Sequence, residues 1–477
     1  MLKINSIHVF FVCLFLLYGC GGSGEKSPTS VPTPIASSVQ PQNNNNPLEF
    51  GATLSEQSLT AAIQTANWLI ATATETSLDE AYWPKSNKDN STSVGKEYGV
   101  SGVGHFFIRL YRLTNDSRYL EMAIKAGNYI NNYYSTNINF SHDWLTGTSG
   151  SGIFLLDLYQ ETNNSSYLDT LIRAGNWLDS TKIDDSQNGS YWLHWPDNPK
   201  IYIGITHGNG GAGQFLMALH QQTQQISYLN SSISAYQWLQ RQKFNIGSDA
   251  IAWKRLSYDD FYYNGWCSGA AGLVPLLKGL YQATADERYL DDIRQIGNGL
   301  IVAADSMTVG KAWARDRESA ASYFTTYCQG TAGIVDSLFD IYEIIPEQKY
   351  RDLAFDGLAW LQSTAITHED GGIYWKVSDG YPQLATGYLM GVSSVARVFA
   401  RGYKITGNTE YLEVTKQASE ALLRIANRPT NEQLNWYAEI KETSVSEQLN
   451  TVYSSWFSGA AGIGLYWIDV YDSVEAN

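Results

Sequence analysis

Residues 266–281 read Trp266-Cys-Ser-Gly269-Ala-Ala-Gly272-Leu-Val-Pro-Leu-Leu-Lys-Gly-Leu-Tyr281, and the string returns in altered form six more times. Its leading glycine recurs at Gly99, Gly147, Gly208, Gly269, Gly330, Gly391 and Gly459; the four central gaps are 61 residues and the outer two are 48 and 68. A second small residue follows three positions later (Gly102, Gly150, Gly211, Gly272, Gly333, Ser394, Gly462). Nine further on comes an aromatic or a histidine (Tyr111, Tyr159, His220, Tyr281, Tyr342, Tyr403, Tyr471). A Tyr-Leu pair then opens the next segment at Tyr119, Tyr167, Tyr228, Tyr289 and Tyr411, with Tyr350-Arg351 in the fifth copy. Self-similarity at such a period marks an array of supersecondary units.

Each unit reads as two helices. Residues 272–281 are apolar almost all round, as a buried inner helix should be. The segment from Tyr167 to Leu178 sets Leu168, Leu171, Ala174, Gly175 and Leu178 on one face, which marks an amphipathic outer helix. From a helix at about 55–73 to one at about 459–471 the count is seven outer and seven inner helices, and no run of alternating β pattern competes. An open helical array needs polar end caps. The last unit, Ser458-Gly-Ala-Ala-Gly-Ile-Gly-Leu-Tyr-Trp467, is as apolar as the middle ones and calls for the first unit as its neighbour. The sequence therefore predicts an all-α fold over residues 51–477, a closed α/α toroid (a double-layered barrel) of seven helix-hairpin repeats. Closure would crowd seven inner-helix N-termini at one end of a central cavity. Unpaired N–H groups and positive dipole ends favour anions and thiolates there, so function is expected at that end.

The composition suits a large core: 477 residues, 44% hydrophobic and 17% charged, which excludes a disordered chain. A net charge of −15 without any basic stripe argues against nucleic acid as a partner. Fifteen Trp and 32 Tyr suit wet cavities or sugar sites, and four Cys are too few for a disulfide scaffold. Lys3 followed by an apolar run from Ile7 to Tyr18 is too short for a membrane span and reads as a signal peptide over residues 1–20. The run ends in Leu17-Tyr-Gly-Cys20, which resembles the bacterial lipoprotein cleavage box; the resemblance implies a lipid on Cys20, and the Gly21 that follows favours the outer membrane. Residues 21–50, rich in Ser, Pro, Gln and Asn, read as a flexible tether. A monomeric lipoprotein of the cell envelope, facing the periplasm or the surface, is expected.

What stands just before each repeating glycine differs from copy to copy. The second copy reads Asp143-Trp-Leu-Thr-Gly147, the third Thr206-His207-Gly208, the fourth Trp266-Cys267-Ser268-Gly269 and the fifth Tyr327-Cys328-Gln329-Gly330. The two cysteines beyond the tether thus share one phase in adjacent repeats. The residues themselves leave three states open for that pair: zinc ligands at helix N-termini, a disulfide in an oxidising compartment, or buried inert thiols. His207 is a candidate proton-transfer group or a turn cap, and Asp143 an acid/base group or a helix-end charge.

With these turns the chain resembles the lanthionine synthetase C-like family across roughly residues 50–475. The likeness rests on the seven-repeat pattern together with His207-Gly-Asn-Gly-Gly, Trp266-Cys-Ser-Gly and Cys328-Gln-Gly. The family fold is an α/α toroid. Its peptide-cyclising members bind one zinc through two Cys and a His after the second Cys, and add a substrate thiolate to a dehydrated Ser or Thr. The resemblance implies Cys267, Cys328 and Gln329 at the zinc-ligand positions, with Asp143 and His207 as the catalytic acid/base pair. Gln329 departs from the family His and is a poor zinc donor; Ser268 replaces a Tyr, and Tyr263 stands where active cyclases carry an Arg.

A second series runs through Trp83, Trp192, Trp253 and Trp375, each 16 residues before its glycine, and continues at Trp436. These tryptophans read either as plugs between hairpins or as an aromatic rim for a glycan or peptide. Asp143 has no companion for a carboxylate pair, since no second carboxylate is read at a turn position. His220 replaces a repeat Tyr and reads as structural; His105, His194 and His368 show no partner pattern. Zinc-dependent thiol activation on a peptide in the central cavity is the leading expectation. A carbohydrate-active α/α barrel and a non-catalytic peptide- or glycan-binding relative are the alternatives.

Overall fold

A computed structural model of the chain describes residues 53–476, apart from 138–140, 195–199, 317–321, 369–370, 442–443 and 449–450. The signal peptide, Cys20 and the tether lie outside the described residues. Fourteen α-helices follow one another among the described residues. They begin α1 (Leu54–Thr72), α2 (Val100–Thr114), α3 (Ser117–Thr136), α4 (Thr148–Thr162) and α5 (Ser165–Thr181). The middle of the chain forms α6 (Asn209–Thr223), α7 (Ile226–Gln240), α8 (Val274–Thr284), α9 (Arg288–Ala303) and α10 (Thr331–Ile344). The last four are α11 (Gln348–Ser363), α12 (Val392–Thr406), α13 (Thr409–Ile425) and α14 (Ala460–Val474). The even-numbered helices contact one another in sequence and α14 contacts α2, so they form a closed inner ring; each odd-numbered helix packs outside it.

Local sequence sets the helix ends. Six of the seven repeating glycines open their inner helix from an extended backbone that no side chain caps; the exception is Gly391, at φ +153°, whose N–H donates to Ser394 Oγ at 3.2 Å. A Cβ on Gly269 would be driven into the Tyr263 carbonyl, and one on Gly272 into that of Trp266, so the turn folds flat onto the helix only with glycine at both places. Five hairpins bend through a left-handed residue (Asn115, Asn163, Gln224, Ala285, Gly407), whose N–H reaches the carbonyl of Tyr111, Tyr159, His220, Tyr281 or Tyr403. His220 is structural, as its repeat position implies: its Nδ1 also lies 2.9 Å from the Gln225 carbonyl.

The Tyr-Leu pairs join neighbouring outer helices. Tyr167, Tyr228 and Tyr350 insert against Gly127, Gly175 and Gly297 of the preceding outer helix. Their hydroxyls reach the next residue in each case, Asn128 (2.6 Å), Asn176 (2.9 Å) and Asn298 (3.2 Å). The ring closes as the apolar last unit requires: α14 pairs with α1, Gly464 fits against the Phe106 ring, and Ser454 donates to the Pro84 carbonyl at 2.8 Å.

The helices are joined by small antiparallel sheets whose strands are too short to show an alternating run in the sequence. Five outer helices continue into two-stranded hairpins, Thr74–Ser77 with Glu80–Tyr82 and Lys243–Gly247 with Ala250–Trp253 among them. A four-stranded sheet joins Lys376–Ser378, Tyr381–Ala385, Glu439–Lys441 and Ser444–Gln448. These hairpins explain the tryptophan series. Trp83, Trp192, Trp253, Trp375 and Trp436 donate their indole N–H to Leu69, Leu178, Leu239, Leu361 and Leu422 at 2.7–3.0 Å. Trp313 does the same to Leu300 at 2.8 Å, one residue out of phase and for that reason absent from the sequence series. All six are buried, so they peg outer-helix ends to the core and form no rim for a glycan. Trp375→Ala is expected to lower stability by about 3–5 kcal/mol. Trp375→Phe, which loses mainly the hydrogen bond, is expected to lose about 1–2 kcal/mol. Urea unfolding of the two variants measures the difference; equal midpoints for both and the parent would contradict the peg.

Candidate functional site

The seven glycine turns are tied to one another by their backbones. The N–H two residues before each glycine donates to the carbonyl at the same position in the next repeat. The links run Glu97 to Leu145 (2.8 Å), Leu145 to Thr206 (3.2 Å), Thr206 to Cys267 (3.3 Å) and Cys267 to Cys328 (2.8 Å). They continue from Cys328 to Leu389 (3.1 Å), from Leu389 to Phe457 (3.2 Å) and from Phe457 back to Glu97 (3.2 Å). One position further back, the side chains fill the axis below this ring. Trp144 meets Trp266 and Trp456 at 5.7 and 5.5 Å, Tyr388 meets Trp456 at 5.8 Å, and Trp266 meets Tyr327 at 5.3 Å. Lys96 lies over Trp144 and Trp456, and Arg397 between Tyr327 and Tyr388 at 3.7 and 4.0 Å. The turn-side mouth therefore has an aromatic and cationic floor.

Asp143 and His207 come together in this mouth, as the family resemblance implies. Asp143 stands four residues before its glycine, where most copies have glycine, and its side chain is fully buried. Oδ1 accepts from the Leu145 and Thr146 N–H groups, both at 2.8 Å. That leaves Oδ2 for His207, whose Nδ1 is 2.7 Å away. Burial pushes the Asp143 carboxyl up, but the charge and hydrogen bond of His207 and the Thr146 N–H overcome it and hold it at about 2. Burial pulls His207 down, yet the Asp143 contact and the Glu97 charge leave its imidazole above the ordinary value.

The sequence reading passes over three members of the neighbourhood. His194, which follows a strand hairpin, brings Nδ1 to 3.5 Å from the same Asp143 oxygen and sets its ring 5.6 Å from that of His207. His142 is buried beneath, its Nε2 3.2 Å from the His207 carbonyl, and burial keeps it neutral by lowering it to about 4. Glu97 corrects the expectation that no second carboxylate stands at a turn, for it lies two residues before Gly99. It is 7% exposed; burial first, and then the nearby Asp143 charge, lift it to about 7 against the opposing pull of His207 and Lys85. The short second repeat makes room for the group. Its 48 residues against 61 leave only residues 137–147 between α3 and α4, whereas neighbouring repeats place a strand hairpin and a tryptophan there. His142 instead stacks on Trp192 of the third repeat.

The Cys267, Cys328 and Gln329 expectation is corrected. The turn ring brings the equivalent cysteines together, with Cα atoms 4.9 Å apart, and the two sulfurs are joined in a disulfide. Bonded sulfurs supply no thiolate to a metal. Gln329 donates from Nε2 to Ser268 Oγ at 3.0 Å, a bond between neighbouring turns. The family's zinc therefore does not fit at these three residues. A group that could hold a cation lies instead at Asp143, His194 and His207, whose ligand atoms all fall within 4.8 Å of one another.

The fold and this mouth define a closed α/α toroid with a histidine–carboxylate cluster at the N-termini of its inner helices. The family model for lanthionine synthetase C-like proteins matches residues 134–308 and 327–476, and the chain belongs to that family. Among solved structures, D-mannose isomerase aligns with a TM-score of 0.50 and 12% identity over 89% of this chain and 99% of its own. Nisin cyclase aligns at 0.49 and 13% over 77% and 92%. The α-1,6-mannanase of Salegentibacter sp. HEL1_6 aligns at 0.46 and 15% over 67% and 91%. At these identities the isomerase likeness shows the toroid fold alone. No curated protein sequence matches the chain.

In chelator-treated protein, Asp143→Asn should lower the His207 imidazole pKa, because burial then meets opposition only from Glu97. The NMR titration of the His207 Cε1 proton measures this; a titration identical to the parent's would contradict the contact.

Proposed function

We propose that the chain is an acid–base catalyst whose reacting groups gather where the first three repeats meet in the mouth of the toroid. The observation that supports this reading is the opposed protonation of two carboxyls in one neighbourhood, Asp143 ionised at about 2 and Glu97 lifted to about 7. Environments that push two like groups apart equip one as a fixed charge and the other as a proton carrier near neutral pH. Asp143 anchors and orients His207, which in its neutral form has an electron pair for a proton or another electrophile. Glu97 lends and recovers the proton that a leaving or attacking oxygen needs.

Zinc-dependent thiol addition to a peptide, the reaction that the family resemblance implies, has no thiolate centre at Cys267 and Cys328 to act through. We therefore favour cleavage or rearrangement of an oxygen-rich substrate, a glycan ahead of a peptide. Lys85 and Arg255 support that class: each stands two residues after its repeat tryptophan, the place that His194 takes in the third repeat. The lipoprotein reading of residues 1–20 would put this activity in the cell envelope, where such polymers are met.

The carboxyl pair has a signature in stability. The folded Glu97 holds a proton that the unfolded chain releases above 4.5, so the folded state loses stability as pH rises from 4.5 to about 7. The loss is complete above that range, on the order of 3 kcal/mol. Glu97→Gln should therefore be more stable than the parent at pH 8 and equal to it near pH 4, read from urea midpoints. A difference that does not change with pH would mean that Glu97 ionises normally, and the proposed proton carrier would be lost.

A further inference from the structure

We infer that Asp143, His194 and His207 form a site for one borderline divalent cation such as zinc or cobalt, placed two repeats away from where the family resemblance puts its metal. The inference rests on the reading of this mouth as the reacting centre and names the electrophile that its histidines would hold.

Both imidazoles converge on one carboxylate oxygen, with His207 Nδ1 at 2.7 Å and His194 Nδ1 at 3.5 Å from Asp143 Oδ2. The three ligand atoms lie within 4.8 Å of each other, a span that a single ion can bridge with small side-chain rotations. The carboxylate is positioned before any ion arrives, because Oδ1 is fixed by the Leu145 and Thr146 N–H groups. Such preparation limits the ordering needed on binding. Two imidazoles and one carboxylate select zinc-type ions over magnesium or calcium, which take oxygen ligands. Three protein ligands also leave a coordination position open, as catalytic rather than structural sites do. Once the imidazoles give up their protons to bind the ion, the one carboxylate charge balances part of the ion's charge in a partly buried place.

His142 meets the His207 carbonyl through its Nε2, and the Cys267 and Cys328 sulfurs are bonded to one another. Glu97 stands close enough for its charge to act on both His207 and Asp143.

The test uses the full chain, purified without reductant, stripped with a chelator and titrated with zinc and then cobalt by calorimetry and absorption. The expected result is roughly one equivalent bound, with cobalt showing ligand-field bands and no thiolate charge-transfer band. His194→Ala should weaken binding by at least the roughly 10–100-fold known for loss of a supporting partner. His194→Gln serves where His194→Ala lowers the melting temperature. A Cys267→Ser/Cys328→Ser double variant should bind as the parent does. No binding, binding unchanged by both His194 variants, or binding abolished only in the double variant would each overturn the inference. A chain that binds no ion but keeps the pH-dependent advantage of Glu97→Gln would sink this inference and leave the acid–base reading in place.

Discussion

The structure depends on a cycle of seven backbone hydrogen bonds, in which each glycine turn donates to the next and the last donates to the first. The bond from Phe457 to Glu97 completes it and joins positions 360 residues apart in sequence. A helical array closes only if the rotations of its repeats sum to a full turn. The cycle imposes that condition at one level of the barrel, with the aromatic residues one position back packed on the axis beneath it. Helix packing provides most of the buried apolar area, while the cycle fixes where each turn's side chains point. Neighbouring turns are held within hydrogen-bonding distance, so a residue at a given phase in one repeat meets its equivalent in the next. The disulfide between Cys267 and Cys328 and the hydrogen bond between Gln329 and Ser268 both follow from that register.

The same register explains why the polar cluster lies where it does. Six repeats carry enough chain between outer helix and turn for a buried tryptophan, five of them at the end of a strand hairpin; the second is too short. Removing that peg opens a place beside the third repeat, and His142, Asp143, His194 and His207 occupy it. Burying a carboxylate is unfavourable unless donors surround it, and Asp143 has two backbone N–H groups and an imidazole. Glu97 is buried among fewer compensating groups and answers by keeping its proton.

Much of this was legible in the sequence, because repetition is a form of internal comparison. The glycine phase gave the helix pairs, the apolar final unit gave closure, and the residues before each glycine gave Asp143 and His207. The strand hairpins escaped because several are only two or three residues long, below the length at which alternation can be recognised. His194 escaped because its repeat equivalents are Lys85, Arg255, Arg315, Val377 and Ala438, so no histidine recurs at that phase. Glu97 was visible at a turn position, but only burial gives it chemical meaning. The state of the cysteines could not be read from spacing, since one phase brings two sulfurs close for a shared metal and for a covalent bond alike; the distance between adjacent turns decides it.

Native-state hydrogen exchange reads the closed cycle of turns amide by amide. The amides of Glu97, Leu145, Thr206, Cys267, Cys328, Leu389 and Phe457 should exchange together, only through global unfolding, with Phe457 and Glu97 as protected as Cys267. If the Glu97 and Phe457 amides exchange quickly while those of the middle repeats stay protected, the array is open at its ends, and the geometry that assembles the mouth does not exist.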